Sequence, residues 1–298
     1  MKTLLITAPM PAGYFTSAIR AIAPDLDLVE HRDDLSDAEL AAIDVVAAWR
    51  FPPGVAARLP NLKWVCAVSA GVEKLLVPEL APHVPVSRIV DAEQAEGIAQ
   101  YVALMALRHA RGLAGYEAQQ LRREWRRHPV AAVRSRVAVL GTGAMGSVIA
   151  RLLGQVGFEV HGWNRRSRPL AELLAASEIV VCALPLTSET EGLLDAHAYA
   201  SMPRGGYVIN VARGAHVVEA DLIAAVRNGH LAGAALDVQC REPMPADDPL
   251  WSVPGITITP HIAAQSSPQT IATQFVAGLR RLERGETPLQ TVDRTRGY

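Results

Sequence analysis

One hexapeptide constrains this chain more than any other feature. Val137-Ala138-Val139-Leu140 runs directly into Gly141-Thr142-Gly143-Ala144-Met145-Gly146, and a helical stretch opens at Ser147. A G-x-G-x-x-G run between an apolar strand and a helix is a phosphate cradle. The first glycine makes the tight turn, the second lets backbone approach a pyrophosphate, and the third lets helix pack closely on strand. The uncapped N–H groups at the start of that helix, with its positive dipole end, favour the phosphates. A second strand at the expected distance, Glu159 to Trp163, makes the run a candidate dinucleotide site rather than a glycine-rich turn of an ordinary βα unit.

That second strand ends in Asn164-Arg165-Arg166-Ser167-Arg168. An acidic residue here accepts hydrogen bonds from the adenosine ribose hydroxyls and repels a 2′-phosphate. A guanidinium instead binds the phosphate bidentately. Asn164 with Arg165 and Arg166 therefore predicts NADP(H) in preference to NAD(H), with NAD(H) still usable.

Apolar runs and helical stretches alternate along the whole chain, which predicts parallel sheets in an α/β fold. Before the hexapeptide, strands are expected at Leu4 to Ile6, Val45 to Ala48, Trp64 to Val68 and Val84 to Val86. After it they are expected at Ile179 to Leu184, Tyr207 to Val211, Gly233 to Val238 and Ile256 to Thr259. A single helix is expected from about Glu93 to Arg127, ended by His128-Pro129. It is apolar nearly all round between Ile98 and Leu107, so more than one side should be covered, in a core or an interface. Its basic end (Arg122, Arg123, Arg126, Arg127) reads as a solvated face.

The expected architecture is two doubly wound, Rossmann-like parallel-sheet domains with a cleft between them. Residues 1–92 plus 268–298 would form a discontinuous substrate domain and residues 93–267 the dinucleotide domain. Composition agrees with a globular chain: half the residues are hydrophobic, a fifth are charged and the formal net charge is −1. That balance gives no footprint for nucleic acid or an anionic membrane. No apolar run approaches a membrane span, and the N-terminus is too short an apolar stretch for a signal peptide. The expectation is a cytoplasmic protein. Cys66, Cys182 and Cys240 show neither disulfide nor zinc spacing, so no metal is expected and all three read as buried small hydrophobes.

Three later strand ends carry reactive side chains: Ala212-Arg213-Gly214, Gln239-Cys240-Arg241-Glu242-Pro243 and Pro260-His261-Ile262. Ligands of open α/β sheets bind at the carboxyl ends of strands. Arg213 could bind a carboxylate and polarise a carbonyl, His261 could donate a proton, and Glu242 could orient the imidazole and favour its charged form. Alone, each has a bland reading as a surface charge, a loop charge or a structural histidine. Together, behind a dinucleotide loop, they point to keto-acid reduction.

On these residues the chain resembles the D-isomer-specific 2-hydroxyacid dehydrogenase family along nearly its full length. The matching segments are Leu140 to Gly146, Ser177 to Pro185, Met202 to Gly214 with Asn210-Val211-Ala212-Arg213-Gly214, Ala235 to Val238, Glu242-Pro243 and Thr259 to Ala264. Within the family it is most similar to the glyoxylate/hydroxypyruvate reductase A branch. That likeness rests on Trp49-Arg50-Phe51-Pro52-Pro53, Ala70-Gly71-Val72-Glu73, Pro249-Leu250-Trp251 and the ending Val292 to Tyr298.

The resemblance implies NADPH-dependent reduction of glyoxylate or hydroxypyruvate, with Arg213, Glu242 and His261 as catalytic residues. It implies that Ser69, Ala70, Gly71 and Val72 present backbone N–H groups to the substrate carboxylate, with Trp49 beside them. It implies that Leu184, Pro185, Val211, Ala212 and Asp237 contact the cofactor, Asp237 near the nicotinamide carboxamide. It also implies a homodimer joined through the nucleotide domain, with Trp125 a candidate for reaching the partner's pocket. The chain departs from the family after Arg168, where Pro169-Leu170 leads almost directly into a helix and a further short strand is missing. Glu178 replaces the usual Asp. The competing readings are a relative acting on a larger 2-keto acid and a non-catalytic cofactor-sensing protein on the same fold.

Overall fold

The structure is a computed structural model that describes residues 1–8, 10–11, 13–127, 135–167 and 169–298. It divides into two compact units, one formed by Met1–Ala92 with Ser266–Tyr298 and the other by Glu93–Gln265.

The first unit is built on five parallel strands: β1 (Thr3–Ile6), β2 (Leu28–Glu30), β3 (Val45–Ala48), β4 (Trp64–Ala67) and β5 (Val86–Ser87), in the order β2-β1-β3-β4-β5. Side chains of a strand alternate between faces, and each face has its own core. Leu4, Val46, Val65 and Val86 point to one side. Leu5, Val45, Ala47, Trp64 and Cys66 point to the other, under helices α1 (Gly13–Ile22) and α9 (Pro268–Glu283), which pack on each other.

Burial on both faces is why these strands read as continuous apolar runs. Trp64 is the centre of the second core. Its ring stacks on Phe275 of α9 at 5.5 Å and 11°, and its Nε1–H donates to Ser87 Oγ at 3.0 Å. Gly278 lies against the same ring, where a Cβ would come within 2.5 Å of Trp64 Cη2. The tail closes the unit: Arg294 donates to the carbonyls of Leu80, Ala81 and Val84 at 2.9, 2.5 and 3.2 Å.

The second unit has six parallel strands: β6 (Arg136–Leu140), β7 (Glu159–Trp163), β8 (Ile179–Cys182), β9 (Gly206–Asn210), β10 (Leu231–Leu236) and β11 (Ile256–Ile258), in the order β11-β10-β9-β8-β6-β7. The chain reverses its winding between β6 and β8. That is the switch point at which open α/β sheets bind ligands, and the glycine loop follows β6 there. Helix α5 (Ala144–Gln155) follows that loop, and β7 is the edge strand among the described residues. After it, among the described residues, comes only the six-residue helix α6 (Leu170–Ala175) before β8.

Several expectations are corrected. The single long helix is two, α3 (Ala92–Ala110) and α4 (Leu113–Leu121), because Gly112 takes a left-handed conformation (φ +62°) that ends the first helix. The proposed stop at His128-Pro129, like Arg168, lies outside the described residues. Helix α3 packs on the core by its Ile98, Val102 and Met105 side, and Leu104 and Leu107 are exposed in the single chain. Strand β2 was not anticipated, and β5 starts later than expected. Cys66 and Cys182 are buried, but Cys240 is exposed, because it sits in the loop after β10 rather than in the sheet.

Candidate functional site

The glycine loop follows from close packing. Gly141 has φ +104°, and a Cβ there would lie 2.5 Å from the carbonyl oxygen of Ala183. A Cβ on Gly146 would lie 1.8 Å from the carbonyl oxygen of Gly141. Gly143 differs: nothing lies within 4 Å of its missing Cβ, and Thr142, Gly143 and Ala144 are exposed. Gly141 and Gly146 thus serve the fold, while Gly143 keeps open the side from which a phosphate would approach. Gly143 is also the N-cap of α5 and places no side chain on the helix N-terminus, leaving those N–H groups available to an anion. Met145 is partly buried in the core beneath the loop.

At the end of β7, Asn164 organises the turn. Its Nδ2–H donates to Thr142 Oγ1 at 3.1 Å, its Oδ1 accepts from the Arg166 N–H at 2.9 Å, and its N–H donates to Ser167 Oγ. Arg165 is ion-paired with Glu189 from the loop after β8, while the Arg166 side chain has no ion pair among the described residues. The residues therefore fit a dinucleotide with a phosphate at its adenosine end, with Arg166 the readier of the two guanidinium groups.

Leu184 belongs to the core. The Pro185 carbonyl accepts from Thr190 Oγ1 at 2.7 Å and lies 3.3 Å from His216 Nε2. After β9, the buried Asn210 shapes the next loop: its Oδ1 accepts from the Ala212 N–H at 3.1 Å and its Nδ2–H donates to the Arg213 carbonyl at 2.8 Å. Val211 continues the ladder with an N–H to the Cys182 carbonyl, and Arg213 Nη1 donates to the Ala212 carbonyl at 2.6 Å. Gly214 lets this loop touch the next, since a Cβ there would lie 1.9 Å from the carbonyl carbon of Gln239.

From that contact the chain of interactions runs to the histidine. The Gln239 N–H donates to Glu242 Oε1 at 3.1 Å, and Glu242 Oε2 lies 3.0 Å from His261 Nδ1. A carboxylate only accepts, so Nδ1 carries a hydrogen. Nε2, which has no hydrogen bond among the described residues, is then the nitrogen able to exchange a proton. Both side chains are about one-third exposed, 34% for His261 and 31% for Glu242.

The histidine itself is held in a left-handed conformation, φ +56°. Asp237 supports that turn. Its carbonyl accepts the His261 N–H at 2.8 Å. Its buried carboxylate accepts from Thr259 Oγ1 at 2.6 Å and from the N–H groups of Ile262 and Ala263 at 2.9 Å each. Tyr101 on α3 meets Thr259 Oγ1 at 2.7 Å, and burial pushes its hydroxyl pKa up to about 12. The carboxylate of Asp237, expected beside the carboxamide, thus spends three acceptor sites on the loop that carries His261.

In the first unit, Trp49 directly follows β3, and Ser69 to Val72 follow the neighbouring β4. The Ser69 hydroxyl donates to the Gly71 carbonyl at 2.8 Å. The Ser69 carbonyl takes the Ile89 N–H at 3.0 Å. Val72 is buried, whereas Ser69, Ala70 and Gly71 are partly exposed.

Asn210, Thr259, Tyr101, Gln239 and His216 carry no role in the sequence reading. The signal available for Asn210 and Thr259 is a polar residue at the end of an apolar strand. Tyr101 gives none, because Thr259 lies far away in sequence, and His216 meets the Arg213 carbonyl three residues before it and the distant Pro185 carbonyl. Among the described residues, no helix is long and apolar enough to cross a membrane, and no three His, Cys, Asp or Glu side chains gather as a metal site.

Comparison with known proteins gives a consistent result. The D-isomer specific 2-hydroxyacid dehydrogenase, NAD binding domain family matches residues 103–263. A glyoxylate/hydroxypyruvate reductase A from Serratia proteamaculans is 36% identical over 274 residues, covering 86% of this chain and 88% of the relative. A D-isomer specific 2-hydroxyacid dehydrogenase from Xanthobacter autotrophicus Py2, solved with NADPH and MES, superposes with a TM-score of 0.90 at 40% identity over 100% of this chain and 99% of that one. An NADPH-dependent glyoxylate/hydroxypyruvate reductase from Sinorhizobium meliloti, solved with NADP and sulfate, gives 0.90 at 30% identity with both chains covered completely. With the fold, the glycine cradle and these relatives in agreement, the chain belongs to the D-isomer-specific 2-hydroxyacid dehydrogenase family and is an NAD(P)-dependent oxidoreductase.

Proposed function

We propose that this enzyme reduces a small 2-keto acid, glyoxylate or hydroxypyruvate, to the D-2-hydroxy acid with NADPH. The observation that carries the proposal is the Glu242–His261 pair at 3.0 Å, joined through Gln239 and Gly214 to the loop bearing Arg213. NADPH supplies the hydride when bound. His261 donates its Nε2 proton to the oxygen that becomes the alcohol, and Glu242 stabilises the imidazolium needed for that donation. Arg213 binds the substrate carboxylate and polarises the keto oxygen. The backbone of residues 69–72, with Trp49, contributes to carboxylate recognition.

The cofactor preference follows from Arg165 and Arg166 with no acidic residue at position 164. The Sinorhizobium reductase and the Xanthobacter dehydrogenase were solved with NADP and NADPH, respectively, which favours the same choice. We further infer a homodimer. Leu104, Leu107, Leu113, Leu121 and Trp125 are exposed along α3, α4 and the segment after it, and an apolar row of this kind is ordinarily covered.

The test is the initial rate of NADPH and, separately, NADH oxidation with each keto acid. Fast NADPH oxidation with either acid is the expected result. Turnover with NADH alone would overturn the role given to the two arginines. Tight NADPH binding without turnover of any 2-keto acid would overturn the reductase reading.

A further inference from the structure

The first unit carries two cations that the reduction of glyoxylate does not use. Lys74 lies two residues beyond the Ser69–Val72 loop, and its Nζ folds back over the indole of Trp49, 5.5 Å from the ring centroid. The Phe51 N–H donates to the Lys74 carbonyl at 3.3 Å, fastening this stretch to the segment that carries Trp49. Arg50, adjacent to Trp49, is exposed. Among the described residues neither Lys74 nor Arg50 forms an ion pair, whereas Glu73 between loop and lysine has a partner of its own.

An ammonium within about 6 Å of a tryptophan face is attracted by the ring without being neutralised by it. Its charge remains available to an anion. Glyoxylate has a single anionic group, which the reading above assigns to Arg213 and the loop backbone.

We propose that Lys74, supported by Arg50, is a specificity determinant for a second anionic group, so that the preferred substrates are 2-keto acids bearing a distal carboxylate. The inference rests on the proposed function in taking Trp49 and residues 69–72 as substrate contacts. The keto acid's own carboxylate is held by the loop. A carboxylate at the far end of the molecule meets the exposed Lys74 beside the partly buried Trp49 ring. A charge-assisted bond there is worth about a tenfold preference.

The test compares matched pairs: 2-oxoglutarate with 2-oxopentanoate, and oxaloacetate with 2-oxobutyrate. The wild-type enzyme with NADPH should favour the dicarboxylate in kcat/KM by about tenfold. That ratio should fall to near one in Lys74→Met, which keeps the apolar stem on Trp49, drop below one in Lys74→Glu and recover in Lys74→Arg. A wild-type ratio of one or less, or a ratio that Lys74→Met leaves unchanged, would overturn the proposal.

Calorimetric binding of D-malate against D-2-hydroxybutyrate in the presence of NADPH, with which neither can exchange a hydride, reads the same preference without turnover. Equal affinities there would overturn it as well. Glyoxylate reduction by the wild-type enzyme separates the two ideas. If glyoxylate is reduced and the ratios are flat, only the Lys74 inference falls; if no keto acid is reduced, the failure is that of the reductase reading.

Discussion

At the residue scale the proposed chemistry turns on one nitrogen. Glu242 occupies His261 Nδ1 and leaves Nε2 without a hydrogen bond among the described residues. His261→Ala should lower kcat by about a hundred- to ten-thousandfold, the ordinary contribution of a general acid, while NADPH affinity, read by fluorescence titration, stays near the wild-type value. Unchanged turnover would remove His261 from the mechanism. Glu242→Gln tests the charge. An amide can still accept from His261 Nδ1–H but carries no charge, so kcat should fall while NADPH affinity stays near the wild-type value. Full kcat in Glu242→Gln would show that the carboxylate charge is not needed.

At the scale of the element, the left-handed turn at His261 is kept in place by groups on three different segments. Thr259→Val keeps the shape of the side chain and removes the hydroxyl that links Tyr101 to the buried Asp237 carboxylate. A hydrogen bond to a charged group is worth about 1.5–3 kcal/mol. Denaturant unfolding should show a loss of that order, accompanied by a fall in kcat larger than the change in NADPH affinity. A variant with full kcat would show that the turn needs no such support.

A second element-scale prediction concerns pH. The ring of His109, at the end of α3, stacks on Tyr207 of β9 at 4.3 Å, and burial lowers its pKa from the ordinary 6.5, with Glu178 opposing the shift. A histidine with a depressed folded-state pKa binds fewer protons folded than unfolded. Its contribution is therefore complete above about pH 6.5 and is lost as pH falls below that value toward the folded pKa. His109→Phe keeps the stack and removes the proton, so the decline of Tm below pH 6.5 should become shallower. An unaltered decline would mean that other groups cause it.

The same comparisons show what sequence reveals at this scale. Most strands are legible because both faces of each sheet are buried, which leaves unbroken apolar runs such as Val137 to Leu140. Strand β2 escapes because its residues are only partly buried and it is three residues long. The break at Gly112 escapes because Arg111 and Leu113 on either side both suit a helix. In the candidate site, Arg213, Glu242 and His261 can be named in advance, since charged residues directly after apolar strands stand out. The partners of Asp237, the Arg165–Glu189 pair and the Lys74–Trp49 contact depend on the register of loops distant in sequence, and no local pattern encodes them.

At the scale of the whole molecule, the proposed dimer is directly testable. Leu121 and Trp125 are 88% and 95% exposed, respectively. Leu121→Asp combined with Trp125→Ser should convert a dimer to a monomer in sedimentation velocity without loss of helical content. A wild-type chain that sediments as a monomer at micromolar concentration would refute the inference.

One further property follows from the way α9 covers Trp64. The ribosome delivers a chain from its N-terminus, yet the first unit lacks the Phe275 and Gly278 face of its core until synthesis has passed those residues, by which time Glu93–Gln265 is already complete. The later-encoded unit is therefore ready to fold first. The first unit's sheet waits, with an indole uncovered, while the whole of Glu93–Gln265 is made. Translation of that intervening unit therefore sets the least time for which the apolar face stays open.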